Sequence, residues 1–135
     1  MIQTLTVQSS GQGLFEFTDD LVALVHRAGL EEGLCTLFVQ HTSASLTIQE
    51  NADPSAKHDL ERWLSRLVAE DDPLYTHTTE GSDDMPSHIK AALTATSLSI
   101  PVVGQRLALG TWQGIYLWEH RHRGGDRRVV VYLGS

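Results

Sequence analysis

The chain has 135 residues, which suits one domain spanning 1–135, and its 10 basic and 17 acidic side chains leave a net charge of −7. Its single cysteine, Cys35, excludes a disulfide framework and a zinc site of paired thiolates, a hydrophobic fraction of 41% excludes a disordered chain, and the acidic balance opposes nucleic-acid binding. No apolar run reaches the ~18–20 residues that span a membrane and Met1–Ser9 does not read as a signal peptide, so a soluble cytoplasmic protein is expected.

Residues 2–8 alternate in polarity and predict a strand. Thr18 or Asp19 can cap a helix running to about Ala28, with Leu21, Val22, Val25 and Ala28 as its apolar stripe and Gly29 as its end. Leu34–Gln40 predicts a buried strand, and Ser45–Gln49 a second. There Cys35 is read as a small hydrophobe, since position 41 lies about 20 Å further along an extended strand. Asp53-Pro54 opens a second helix, with Asp53 as cap and Leu60, Trp63, Leu64 and Leu67 on one face, and Asp71-Asp72-Pro73 closes it.

Tyr75–Asp84 is polar and aperiodic, a loop. Pro86–Ala95 predicts a short helix, Ser97–Val103 and Leu107–Leu109 predict strands, and Ile115–Arg121 predicts a strand paired with Arg127–Leu133 across the turn Gly124-Gly125-Asp126. The expected fold is α+β, a mostly antiparallel, curved, sandwich-like sheet with two or three helices. No nucleotide-binding glycine fingerprint is present.

The charge is uneven. Arg121, Arg123, Arg127 and Arg128 face only Glu119 and Asp126 after residue 118, against an acidic remainder. They read either as a solvated hairpin tip or as an anion site.

Three segments carry polar residues in unusual places. His41-Thr42-Ser43-Ala44-Ser45 leaves an apolar strand directly, and its hydroxyls can serve a turn or an anion. Glu80 through His88 crowds three carboxylates and a histidine around a helix start. Capping accounts for a carboxylate there, whereas a histidine in the first turn stays neutral against the helix dipole and can bind metal or accept a proton. Gly110 through His122 sets a Trp-Gln pair between glycines, which predicts a bulge or a close backbone approach, and then places His120 and His122 on one strand face. His41, His88 and His120 together would make a three-histidine site with an open position, suited to a divalent ion such as zinc or magnesium. His26 and His58 have helical explanations, and His77 receives no role.

The runs His41 to Asn51, Glu80-Gly81 with Asp83 to Pro86 and His88-Ile89-Lys90, and Leu109 to Tyr116 with Glu119-His120-Arg121 resemble the YjbQ-like family, also called the secondary thiamine-phosphate synthase enzymes. The likeness covers essentially the whole chain, with the motifs in the family's order. It implies a homotrimer of compact α+β domains. It also implies a secondary activity joining a pyrimidine diphosphate to a thiazole phosphate, with His41, Asp53, His88 and His120 at the site and Thr42, Ser43 and Ser45 beside it.

Joined to the residue chemistry, this gives three readings. In the first, an enzyme, His41, His88 and His120 hold an ion or phosphate, and Thr42, Ser43 and Ser45 bond phosphate oxygens. Asp53 or Asp84 handles protons, and Lys90 or Arg121 adds positive charge for a phosphorylated small molecule. In the second, the same residues bind metal or phosphate without efficient catalysis. In the third, the motifs pack the trimer.

Overall fold

Alternation along the strands builds two antiparallel sheets around one core. The computed structural model describes residues 1–135. Its elements in chain order are β1 (Ile2–Gln8), β2 (Gly13–Glu16), α1 (Thr18–Ala28), β3 (Glu32–Val39), β4 (Ala44–Glu50), α2 (Pro54–Leu67), α3 (Asp84–Leu93), β5 (Ser97–Val103), β6 (Arg106–Leu107), β7 (Gln113–Glu119) and β8 (Asp126–Gly134). The five-stranded sheet runs β1-β8-β3-β5-β6 and the three-stranded sheet β2-β7-β4. The α+β expectation holds.

The inward side chains of the large sheet, among them Cys35, Leu37, Val39, Ile100, Val102, Val129 and Val131, meet Ala44, Leu46, Ile115 and Leu117 of the small sheet. Leu21, Leu24 and Val25 of α1 close this core. Full burial of each such aliphatic side chain stabilises by about 1.5–3 kcal/mol. A second cluster, Leu14, Leu64, Tyr116 and Trp118 with Leu60, seats α2 on the other face of the small sheet. β7 is therefore covered on both faces, which explains why Gly114–Glu119 is buried without interruption.

Several local expectations change. Ile115–Arg121 and Arg127–Leu133 do not pair: β7 lies between β2 and β4, and β8 between β1 and β3. Two-sided burial makes β7 a central strand of its own sheet, and Ser9 holds the Gly124-Gly125 turn through Ser9 N–H to Gly125 O at 2.9 Å. Half of the predicted stripe on α2 is exposed, Trp63 at 51% and Leu67 at 56%, because only Leu64, and in part Leu60, reach the second cluster. Thr18 does not cap α1. It is the first helical residue, and its hydroxyl accepts the Ile115 N–H at 2.8 Å, tying the helix to β7. β2 carried no sequence expectation. α3 starts at Asp84, two residues earlier than Pro86 suggested, and this brings Asp84 into its first turn.

Candidate functional site

The start of α3 presents Asp84 and His88 one helical turn apart, so both project from the same side. Asp84 is 1% exposed. His77, from the preceding loop, brings Nε2 to 2.7 Å from Asp84 Oδ2, and His88 Nε2 lies 3.2 Å from the same oxygen. The two imidazole rings are 5.5 Å apart between centroids. One ligand atom from each of the three residues lies within 4.8 Å of the others.

The surroundings fix the states of these groups. His88 Nδ1 is 3.1 Å from the Thr42 carbonyl oxygen. A carbonyl only accepts, so this nitrogen carries a proton, while Nε2 faces the Asp84 carboxylate. At 3.2 Å from Asp84 Oδ2, His88 Nε2 is placed to donate a hydrogen bond to the carboxylate or to ligate a cation together with it. The other carboxylate oxygen, Oδ1, accepts from Arg121 Nη1 at 2.6 Å. Burial pushes the Asp84 pKa up, but the His77 hydrogen bond and the His88 and Arg121 charges together hold it below the ordinary value. Asp83 is also lowered: burial opposes the shift, and the His122 N–H and the Arg121 guanidinium outweigh it.

Behind this cluster lies a buried polar layer. Ser87 Oγ donates to Ser43 Oγ at 3.1 Å, and Ser45 Oγ meets His120 Nε2 at 2.9 Å. His120 is 1% exposed. Burial, with help from the Lys90 charge, brings its pKa down to about 3, so the ring is neutral. Glu119, fully buried, accepts from Ser9 Oγ and from Arg127 Nε, each at 2.6 Å.

Comparison with known proteins agrees with this architecture. A family model described as UPF0047 protein YjbQ-like matches residues 3–134. The chain belongs to the YjbQ-like UPF0047 family. It is 52% identical to the UPF0047 protein sll1880 of Synechocystis, over 98% of this chain and 90% of that protein. It is 47% identical to the UPF0047 protein YjbQ of Escherichia coli O157:H7, over 97% of this chain and 95% of that protein. The solved structure of the conserved hypothetical protein TT1486 from Thermus thermophilus superposes with a TM-score of 0.87 at 34% identity, covering 98% of this chain and 99% of that one.

The expected thiamine-phosphate synthase activity does not stand. The YjbQ-like family model and these relatives carry no synthase activity in their names. Within the chain, three of the groups expected to grip a diphosphate, Ser43, Ser45 and Arg121, are engaged elsewhere. Ser43 and Ser45 are buried and bonded to Ser87 and His120. Arg121 gives Nε to Asp83 at 3.0 Å, Nη1 to Asp84 and Nη2 to the Glu80 carbonyl at 3.0 Å. Thr42 contributes its carbonyl rather than its hydroxyl.

The three histidines expected to share an ion do not converge within the chain, since no set of three that includes His41 or His120 brings its ligand atoms within 4.8 Å. His41 Nδ1 accepts the Ser43 N–H at 3.0 Å. Its pKa is lowered by burial and by the Arg127 charge, with smaller effects from Arg121 and His88, against an opposing pull from Glu119. His120 sits behind Ser45. His122 lies beyond β7 and pairs with Glu70 at 2.5 Å, so it shares no strand face with His120. Asp53 is exposed and accepts the Ser55 N–H at 3.0 Å as the cap of α2. Lys90 is buried in the second half of α3.

Of the expected residues, Asp84 and His88 do come together. The partner that sequence reasoning missed is His77. A signal existed in the loop, because His77 lies three residues before Glu80 and seven before Asp84, but loop residues have no period from which direction can be read.

Proposed function

We propose that this chain holds a divalent metal ion between His77 Nε2, Asp84 Oδ2 and His88 Nε2, and that the site is a metal-dependent enzyme centre for a phosphorylated small molecule. The observation that carries the reading is the convergence of His77 Nε2 and His88 Nε2 on one oxygen of the buried Asp84 carboxylate, with His88 Nδ1 turned to the Thr42 carbonyl. Two imidazoles and one carboxylate are a donor set suited to zinc, and three protein ligands leave a position open. Imidazole nitrogens favour zinc over magnesium. The outer contacts have the form usual around metal ligands: a carbonyl fixes the His88 tautomer and Arg121 fixes Asp84.

A single carboxylate does not neutralise a divalent ion, and Arg121 already offsets Asp84. The bound ion therefore keeps positive charge for an anionic ligand, and would supply Lewis acidity to a phosphoryl oxygen there. The assembly belongs to the same proposal. The homotrimer implied by the family resemblance is assigned to the outer face of the large sheet, where Leu34, Phe38 and Tyr132 are 47%, 50% and 44% exposed.

The test is zinc uptake by tag-free protein, read by equilibrium dialysis and elemental analysis. Wild type should take up zinc near one equivalent per chain. His77→Ala removes a half-exposed side chain, so it should fold normally and bind at least about tenfold more weakly. Equal zinc affinity in wild type, His77→Ala and His88→Ala would sink the proposal.

A further inference from the structure

A second cavity, of about 250 Å³, opens between α2 and the end of β7, on another side of α3 from the metal cluster. Residues of an α-helix advance by about 100° each, so Lys90 is turned by about 120° around α3 from Asp84. The lining includes Lys90, Arg62, His120, Trp118, Leu64 and Glu61.

Lys90 is 2% exposed, and its side chain makes no hydrogen bond or ion pair with any protein group. A buried cation without a partner is costly. Beside it, His120 Nδ1 is shielded from solvent and also has no hydrogen-bond partner. Arg62, on the cavity rim, is likewise unpaired. The one carboxylate in the lining, Glu61, accepts the Leu14 N–H at 2.8 Å and stands 3.7 Å from Lys57, so it does not neutralise Lys90. The cavity thus sets two unpaired cations and an unpaired imidazole nitrogen against an apolar wall of Trp118 and Leu64.

We propose that this cavity is a binding site for a small organic oxyanion, with its charged oxygens on Lys90 and Arg62 and its apolar part against Trp118 and Leu64. The chemistry is shared by carboxylates and phosphate monoesters. A charge-assisted contact to a buried amine is strong, and the aromatic wall selects an organic anion over an inorganic one. The site does not depend on the metal cluster, because none of its lining residues ligates there.

Phenyl phosphate, benzoate and inorganic phosphate, titrated into the full-length protein with Trp fluorescence and calorimetry as readouts, test the proposal. Wild type should bind at least one of the two organic anions at one site per chain and more tightly than inorganic phosphate. The better of the two identifies the oxyanion class. Lys90→Met keeps the buried stem and removes the charge, and should weaken binding at least about tenfold. Arg62→Ala, at an exposed position, should fold as wild type and also weaken binding. His77→Ala should bind the anion as wild type does, which separates this site from the metal reading. Absence of binding by both organic anions at millimolar concentration would overturn the proposal. So would unchanged affinity in Arg62→Ala together with a folded Lys90→Met.

Discussion

A buried neutral imidazole makes folding sensitive to pH. The unfolded His120 ring takes up a proton near its ordinary value of about 6.5, whereas the folded one resists until about 3. Between those values the unfolded state binds more protons, so stability falls as pH falls, by up to about 1.4 kcal/mol per pH unit. The Asp83 and Asp84 pKa values are lowered in the fold, so their stabilisation is complete above the unfolded carboxyl range and is lost only in stronger acid. Thermal melts from pH 7 to 4.5 should therefore show a declining Tm in wild type. His120→Gln should start lower and decline less steeply. Parallel slopes would mean that His120 does not titrate in this way. At this scale the sequence identified polar residues more readily than their partners. Asp84 and His88 were legible because a helix start constrains them. The engagement of Arg121 with Asp83 and Asp84 spans almost forty positions and leaves no trace in local spacing.

Among the elements, α1 from Thr18 to Ala28, β3, β4 and β5 follow from periodicity and end signals, Gly29 with its φ of 67° included. The partner of β7 does not follow. A short glycine turn ordinarily implies a hairpin, and here Gly124-Gly125 instead lets the chain change sheets. The reason is tertiary: β7 is apolar on both faces and needs cover from α2 and from the large sheet. Gly124 is specific to this crossing, because a Cβ there would clash with the Ser9 carbonyl oxygen. Gly124→Ala should lower unfolding free energy by about 1–3 kcal/mol in urea titration, the usual range for overpacking. A change within error would show that the turn relaxes freely. The close approach expected around Trp112-Gln113 is found at Gly114, where a Cβ would lie 2.9 Å from Asn51 Cβ.

For the whole molecule, no helix is long and apolar enough to cross a membrane. The cationic C-terminal segment is not a free anion site as a unit: Arg121 and Arg127 neutralise buried carboxylates. The outer face of the large sheet exposes Leu34, Phe38 and Tyr132 beside the bonded Thr36–Ser99 hydroxyl pair, and the proposed trimer would cover it. In sedimentation velocity wild type should run as a trimer. Phe38→Glu, on that face, should run as a monomer with unchanged circular dichroism. A monomeric wild type would remove the proposed interface. The central claim concerns the cluster at the start of α3, and zinc stoichiometry in wild type and His77→Ala tests it most directly. The account predicts close to one zinc per wild-type chain and at least about tenfold weaker binding after the substitution. Zinc-free wild type after dialysis against zinc, or full retention by the variant, would contradict it.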